Sequence, residues 1–316
     1  MIDLELQPFL AEWSRAWAGL AQPATPAQRR AHFEGVARQM RQPTPAGVRT
    51  DEEHRIAVPG TPREVRVRIF RGAGQGPRPA LIYMHGGAWM QGSPETHWDI
   101  TAAVAAAGVV TISVDYALAP EQPFPAAVQD VQAVVEWAFT QAVALGLRAD
   151  AIAIGGDSAG ANLAASTALH ARGRAPGLRA QWLVYPAVDF RTDRPSHREN
   201  ADGPIVSVAS MASVNAAYCP DPRDRLDPMA APLLAASHAG LPPAFIAVAE
   251  HDPLRDEGIA YAQALGAAGV AVELDRGAGL IHGYLRGMAW SSAARAAFRR
   301  QVDWLVGVLG SNSASR

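Results

Sequence analysis

The stretch Ile154-Gly155-Gly156-Asp157-Ser158-Ala159-Gly160 decides the fold that the sequence indicates. It follows the apolar run Ala151–Ile154 and precedes a helix-forming segment, Ala161–Ala171. A sharp turn between a strand and a helix exposes a serine hydroxyl, and glycines two positions before and after that serine leave room where backbone segments approach closely. The pattern therefore predicts a nucleophile at Ser158, with the N–H of Ala159 directed at a developing negative charge. The alternative is a glycine-rich turn that contains an incidental serine.

Apolar runs on both sides of this turn predict a parallel sheet. Such runs are typical of strands buried on both faces, and helical segments between them favour the α/β class. We expect strands at Ala80–Tyr83, Val109–Val114, Ala151–Ile154, Trp182–Tyr185, Ala244–Val248 and Val270–Leu274. We expect helices at Ala126–Ala144, Ala161–Ala171, Ile259–Ala268 and Ala293–Leu309. A half-buried strand precedes them, because Val65, Val67 and Ile69 alternate with Arg66 and Arg68.

Two segments depart from this alternation and predict a helical cap. Residues 1–50 contain an amphipathic helix with Trp13 and Trp17 on its apolar face, followed by a second helical segment. Residues 190–228 are an irregular insertion within a main domain that is expected to span 51–316. Ligands of α/β folds bind beyond the carboxyl ends of the strands, so we expect both segments to cover that edge. The two tryptophans either line a substrate pocket there or only pack the cap onto the core.

A candidate acid and then a candidate base follow the serine along the chain. His282 lies on a glycine-flanked loop after the last predicted strand, and Asp252 follows the apolar strand before it. In a Ser…Asp…His arrangement the histidine accepts the serine proton, and the acid orients the imidazole. Glu250 and Asp256 are rival acids. Glu250 belongs to the strand in one interpretation, and Asp256, with Glu257, is more typical of the first turn of a helix.

The stretch His85-Gly86-Gly87-Ala88-Trp89 supplies a candidate oxyanion site. It follows the strand Ala80–Tyr83, and a loop with two glycines at the end of a central strand offers free backbone N–H groups to a developing oxyanion. We expect His85 to brace this loop rather than act as a base. Trp89 is a third candidate for lining an apolar pocket. The alternative is an ordinary glycine turn.

Together these motifs resemble the hormone-sensitive-lipase-like branch of the α/β-hydrolases, which includes many bacterial carboxylesterases. The resemblance runs from about residue 60 to the C-terminus. It rests on His85-Gly86-Gly87, Asp115-Tyr116-Ala117-Leu118-Ala119-Pro120-Glu121, Pro123-Phe124-Pro125-Ala126, Gly156-Asp157-Ser158-Ala159-Gly160, Asp252-Pro253-Leu254-Arg255-Asp256-Glu257-Gly258 and His282-Gly283-Tyr284. It implies a mostly parallel eight-stranded sheet flanked by helices, with a helical cap.

The resemblance also implies roles for individual residues. Ser158 would be the nucleophile, Asp252 the acid and His282 the base. The oxyanion hole would consist of the N–H groups of Gly87, Ala88 and Ala159, with Gly86 beside them. This chain departs from the family where Ala88 replaces the usual third glycine, and where Ala117 and Gln122 replace a common arginine and histidine.

The predicted activity is hydrolysis of short- to medium-chain acyl esters through an acyl-enzyme, without a metal or organic cofactor. An arylformamidase or amidase is the alternative, because His-Gly-Gly-x-Trp also resembles the loop of kynurenine formamidases. A ligand receptor on the same fold is a weaker alternative, because the receptor that resembles this family has lost its triad histidine and His282 is present here.

Composition excludes several other classes of function. The formal net charge of −2 gives no sign of a nucleic-acid partner. All 28 basic residues are arginine, which excludes Schiff-base lysines, a pyridoxal-phosphate attachment site and a P-loop. Cys219 is the only cysteine, and an incidental buried thiol is favoured over a nucleophile. Without a recognisable signal or apolar span, we expect a cytoplasmic protein that acts on a small-molecule ester. The resemblance adds a possible homodimer.

Overall fold

Eight strands form a single sheet in this computed structural model, which describes residues 1–311. They are β1 (Arg49–Ala57), β2 (Glu64–Arg71), β3 (Arg78–Met84), β4 (Val110–Asp115), β5 (Leu147–Asp157), β6 (Gln181–Val184), β7 (Ala244–Ala247) and β8 (Val272–Asp275). Their order is β1-β2-β4-β3-β5-β6-β7-β8, with β2 antiparallel to both its neighbours and the other pairs parallel. The predicted mostly parallel, eight-stranded sheet is confirmed. Residues 312–316, the end of the predicted main domain, lie outside the described residues.

Helices cover both faces of this sheet. They are α1 (Gln7–Ala18), α2 (Pro26–Met40), α3 (Trp98–Ala106), α4 (Ala126–Thr140), α5 (Ala159–His170), α6 (Pro195–Glu199), α7 (Val208–Tyr218), α8 (Arg255–Ala267) and α9 (Ser292–Gly310). Strand β3 explains the two-sided cover, since Ile82 belongs to the core cluster beneath α4 and α5 whereas Leu81 belongs to the cluster beneath α9. Residues 80–84 of this strand are buried at every position, so both faces of the sheet pack against helices here. None of the helices in residues 1–311 is long and apolar enough to cross a bilayer.

The predicted elements are present, although several ends differ. Helix α4 ends at Thr140 rather than Ala144, because the chain turns back there and the Leu147 N–H bonds to the carbonyl of Ala142 at 2.7 Å. Strand β5 is longer than the predicted Ala151–Ile154, because its two glycines, Gly155 and Gly156, still pair with β3. Glycine has no side chain to add to the apolar pattern that predicts a strand, so the last residues of this strand were not predicted.

The two predicted cap segments have different local structures. Residues 1–50 form α1 and α2, and β1 already begins at Arg49. Phe9 of α1 is fully buried against the core cluster that includes Tyr284. Residues 190–228 contain α6 and α7, and the Tyr218 ring at the end of α7 stacks on Trp89 with 4.3 Å between ring centroids. Both segments therefore reach residues at the carboxyl edge of the sheet.

Candidate active site

Three side chains from separate loops meet at the carboxyl edge of the sheet. Ser158 follows β5, Asp252 follows β7 and His282 follows β8. The Nε2 atom of His282 lies 2.9 Å from the Oγ of Ser158, and its Nδ1 lies 2.7 Å from Oδ2 of Asp252. The Asp252 carboxylate is fully buried, and its Oδ1 accepts the N–H of Leu254 at 2.8 Å. A carboxylate on Nδ1 keeps the proton there, which leaves Nε2 free to accept the proton of the serine.

The rival acids have other partners. Glu250 lies beyond the end of β7 and accepts the N–H of Gly279 at 2.7 Å. Asp256 and Glu257 lie in the first turn of α8, as expected, but they do not cap it. Asp256 instead accepts the N–H of Ser196 at 2.8 Å, and Glu257 accepts two backbone N–H groups that follow β6. Burial raises the pKa of Glu257 well above its ordinary value.

Ser158 stands on a tight turn that its neighbours hold in place. Its φ of +55° and ψ of −121° belong to a region that residues other than glycine rarely adopt. Its N–H donates to the carbonyl of Val184 at 2.9 Å. A Cβ on Gly156 or Gly160 would lie 2.4 or 2.0 Å from the Met84 carbonyl oxygen, so only glycine fits at either position. The turn therefore presses the start of α5 against β3 and leaves the serine side chain at the sheet edge.

Three backbone N–H groups beside Ser158 are available to an oxyanion. Within residues 1–311, the N–H groups of Gly87, Ala88 and Ala159 have no hydrogen-bond acceptor. Ala88 adopts a φ of +56°, so alanine here takes the left-handed conformation that the family's usual glycine takes more easily. The N–H of Gly86 differs, because it donates to Oδ1 of Asp157 at 2.8 Å. Its N–H is therefore already engaged, and Gly86 stands beside the three free groups rather than among them.

Asp157, the residue before the serine, ties the glycine loop to the serine turn. Besides the N–H of Gly86, its carboxylate accepts the hydroxyl of Tyr83 at 2.7 Å and that of Tyr185 at 3.3 Å. No role for this residue was predicted from the sequence. The only signal was its position inside the quoted motif, because a buried carboxylate between two loops is recognisable only after the loops have been brought together.

Two buried histidines and one arginine lie around Asp157 and the glycine loop. Burial by itself would raise the pKa of Asp157, but the nearby charge of Arg286 and the hydrogen bond from Tyr83 hold it well below its ordinary range. Arg286 donates to Nε2 of His97 at 2.7 Å. Burial lowers the pKa of His85 to about 3, and its ring stacks on Tyr116 with 4.2 Å between centroids. A neutral, stacked His85 is consistent with the expected bracing role.

A cavity of about 190 Å³ adjoins Ser158. Trp13 of α1 and Phe33 of α2 lie in one wall, and Met211 and Val214 of α7 lie in another. Both predicted cap segments thus contribute side chains to the cavity. These α2 and α7 residues were not identified from the sequence, because helical spacing alone does not distinguish a side chain that faces a cavity from one that packs in a core.

The three candidate tryptophans differ in position. Trp13 and Trp89 line the cavity, although Trp89 is only 4% exposed and its ring stacks on Tyr218. Trp17 does not line it. The Trp17 ring lies behind the wall, with centroids 5.7 Å from Trp13 and 5.9 Å from Phe33. Trp17 therefore packs α1 against α2 within the N-terminal segment, whereas the alternative prediction had the tryptophans pack that segment onto the core.

This geometry agrees with comparisons to known proteins. A sequence profile described as the alpha/beta hydrolase fold matches residues 81–286. The chain belongs to the α/β-hydrolase family. Two predictions are thereby confirmed. The chain belongs to the hormone-sensitive-lipase-like branch that the motifs indicated, and it is an enzyme of the hydrolase class.

Several relatives of this α/β-hydrolase carry names that describe an activity. It is 39% identical over 264 residues to "Carboxylic ester hydrolase LipN" of Mycobacterium tuberculosis, covering 81% of this chain and 69% of LipN. It is 43% identical over 212 residues to "Carboxylesterase NlhH" of the same species, covering 66% of each chain. The aligned part thus spans about two thirds of either mycobacterial protein. A crystal structure of a thermostable esterase from Pseudomonas putida ECU1011 superposes with a TM-score of 0.91 at 31% identity, covering 98% of both chains.

Proposed function

We propose that this α/β-hydrolase is a serine carboxylesterase that hydrolyses short- to medium-chain acyl esters, with Ser158 as nucleophile, His282 as base and Asp252 as orienting acid. The observation that carries the proposal is the continuous hydrogen-bonded series from the serine Oγ to the buried carboxylate, with distances of 2.9 and 2.7 Å. Hydroxyl, imidazole and carboxylate in this order form an activated nucleophile.

The reaction follows from the groups around Ser158. His282 takes the hydroxyl proton as the Oγ attacks the ester carbonyl, and Asp252 stabilises the imidazolium that forms. The N–H groups of Gly87, Ala88 and Ala159 hold the negative oxygen of the tetrahedral intermediate, and each such donor lowers the barrier by about 3 kcal/mol. His282 then protonates the leaving alcohol, and water releases the acid from the acyl-enzyme. No step uses a metal or an organic cofactor.

The cavity supports a preference for small acyl groups. Its volume of about 190 Å³ lies below the roughly 300–1,000 Å³ of pockets that bury drug-sized ligands. We assign residues 1–50 and 190–228 the role of a cap, because side chains from both segments line the cavity. Trp13 and Met211 face it from different helices and limit the length of chain that it accepts. A cytoplasmic location and a homodimer remain predictions.

The names of the relatives point to the same reaction. The mycobacterial proteins are a carboxylic ester hydrolase and a carboxylesterase, and the Pseudomonas protein of known structure is an esterase. Ester hydrolysis is therefore favoured over amide cleavage, although the loop at His85 also resembles that of formamidases.

The test combines active-site labelling with a substrate series. Paraoxon should label the wild-type protein stoichiometrically at Ser158, as mapped by mass spectrometry, and Ser158→Ala should remain unlabelled. Rates on p-nitrophenyl esters of graded length should be highest for the shorter chains and should fall to background in Ser158→Ala. Hydrolysis of N-formylkynurenine faster than p-nitrophenyl butyrate would favour the formamidase, and a wild-type protein with neither label nor activity would favour a receptor.

A further inference from the structure

The cavity beside Ser158 has two arginine side chains in its wall. Arg29 comes from α2, and Arg286 follows the loop of His282. Among residues 1–311, neither guanidinium has a carboxylate oxygen within 4.0 Å. The neighbour of Arg29 on the same helix, Arg30, shows the contrast, because it binds both carboxylate oxygens of Glu121.

Arg29 is anchored in a way that leaves its donors free. Its Nε donates to Oε1 of Gln91 at 2.8 Å, and its guanidinium lies 5.0 Å from the centre of the Trp17 ring. The N–H of Gln91 in turn bonds to the carbonyl of Gly87 in the candidate oxyanion loop. Within residues 1–311 neither Nη nitrogen of Arg29 has a hydrogen-bond acceptor. The end of a guanidinium with two free Nη groups matches the two oxygens of a carboxylate.

Arg286 adds positive charge from the same side of the cavity. Its guanidinium carbon lies 4.7 Å from the centre of the Phe33 ring, and it donates to Nε2 of His97 and, at 3.1 Å, to the carbonyl of Thr96. These contacts fix the side chain, so its charge is a permanent part of the wall. We treat it as a supporting charge because it also stabilises Asp157.

The acidic groups of the cavity do not neutralise this wall. Asp189 lies in the lining, but its carboxylate is bound by Arg191 and Arg194 at 2.6 and 2.9 Å. Asp157 is occupied by hydroxyl and backbone donors, as described above. The lining of the cavity therefore includes two arginines, and each of its two aspartates already has arginine, hydroxyl or backbone partners.

We propose that Arg29, supported by Arg286, is a subsite for a carboxylate on the substrate, so that the enzyme prefers esters that carry a second, ionised carboxyl group. This inference rests on the proposed esterase function and names its substrate class. A carboxylate is ionised at neutral pH and forms two parallel N–H···O bonds with a guanidinium. The alternative is that Arg29 only fastens α2 to Trp17 and Gln91.

The test compares esters that differ only in charge. Two matched pairs are 4-acetoxybutanoate with 4-acetoxybutanamide, and monoethyl glutarate with its amide, which place the charge on the alcohol side and the acyl side. A hydrogen bond to a charged group contributes about 1.5–3 kcal/mol, so kcat/KM should favour the carboxylate in at least one pair by about tenfold to a hundredfold. The preference should shrink in 0.5 M NaCl, because salt screens partly exposed charges.

Two arginine variants and an inactive variant complete the design. Arg29→Gln should reduce the carboxylate-to-amide ratio to near one. Arg38→Gln, which removes an exposed arginine from the same helix outside the cavity, should leave the ratio as in the wild type. Calorimetry on Ser158→Ala measures the same two ligands without hydrolysis and should give tighter binding of 4-acetoxybutanoate, which is lost when Arg29→Gln is added.

The outcomes separate the two proposals. Equal binding and equal kcat/KM for both members of each pair, or a ratio unchanged by Arg29→Gln, would overturn the subsite while leaving the esterase intact. Tighter binding of the carboxylate to Ser158→Ala with no hydrolysis by the wild type would retain the subsite and overturn the esterase.

Discussion

Gly160 approaches β3 so closely that a single methyl group should displace the nucleophile helix. A Cβ at this position would lie 2.0 Å from the carbonyl oxygen of Met84 and 2.6 Å from that of His85, whereas ordinary contacts begin at 3.4 Å. All three close neighbours are backbone atoms, so no flexible side chain can yield. Relieving the shorter contact requires α5 and β3 to separate by about 1.4 Å, the difference between 3.4 and 2.0 Å.

That separation acts on the two halves of the candidate oxyanion hole at once, because Ala159 begins α5 and the glycine loop continues from β3. A misplacement of about 1 Å costs on the order of 10²-fold in rate, so we expect Gly160→Ala to lower kcat/KM for p-nitrophenyl butyrate at least about 100-fold. Overpacking of a core costs about 1–3 kcal/mol, which in a chain of 316 residues corresponds to a melting temperature lower by about 2–5 °C.

The matched control is Gly307→Ala in α9. A Cβ on Gly307 meets nothing within 4 Å, and alanine is a better helix former than glycine by about 1 kcal/mol. This variant should keep the wild-type kcat/KM and melt at the same or a slightly higher temperature. The assays are steady-state kinetics and differential scanning calorimetry on all three proteins. If Gly160→Ala kept wild-type kcat/KM and melting temperature, the reasoning from the close contact would be refuted.

Three further predictions follow from other parts of the molecule. Asp252→Asn should lower kcat about 10⁴-fold because the imidazole loses its orienting charge, whereas Glu250→Gln should stay close to wild type in the same assay, and the reverse order would identify Glu250 as the acid. Burial raises the pKa of the Cys219 thiol to about 12, so Ellman's reagent at pH 8 should not react until guanidinium unfolds the protein, and rapid reaction of the folded protein would contradict its burial. Trp13→Ala should extend the p-nitrophenyl ester profile to longer chains because this ring lines the cavity, whereas Trp17→Ala, at a partly buried ring, should cost about 1–3 kcal/mol of stability by chemical denaturation without moving the profile.

Much of the fold was determined by the sequence. The apolar runs of β3, β4, β6 and β7 predicted those strands to within a few residues, because a strand buried on both faces is mostly apolar along its length. Strand β5 was recognised only in its apolar part, since its final glycines carry no hydrophobic signal.

The candidate triad was also predicted from the sequence, and its three side chains lie within hydrogen-bond distance. Ser158, Asp252 and His282 each follow a strand that the apolar pattern locates, and the carboxyl ends of parallel strands share one edge of the sheet. Chain order and strand position were therefore sufficient to bring together residues separated by 94 and 30 positions along the chain (252 − 158 and 282 − 252).

Only the tertiary structure decided which neighbouring groups serve the site. Gly86 and Gly87 look equivalent in the sequence, yet the N–H of Gly86 is consumed by Asp157 whereas that of Gly87 is free. Trp13 and Trp17 lie on one helical face, yet only Trp13 reaches the cavity. Such differences depend on how helices and loops from distant parts of the chain pack against one another. The spacing of residues within one segment does not predict those contacts.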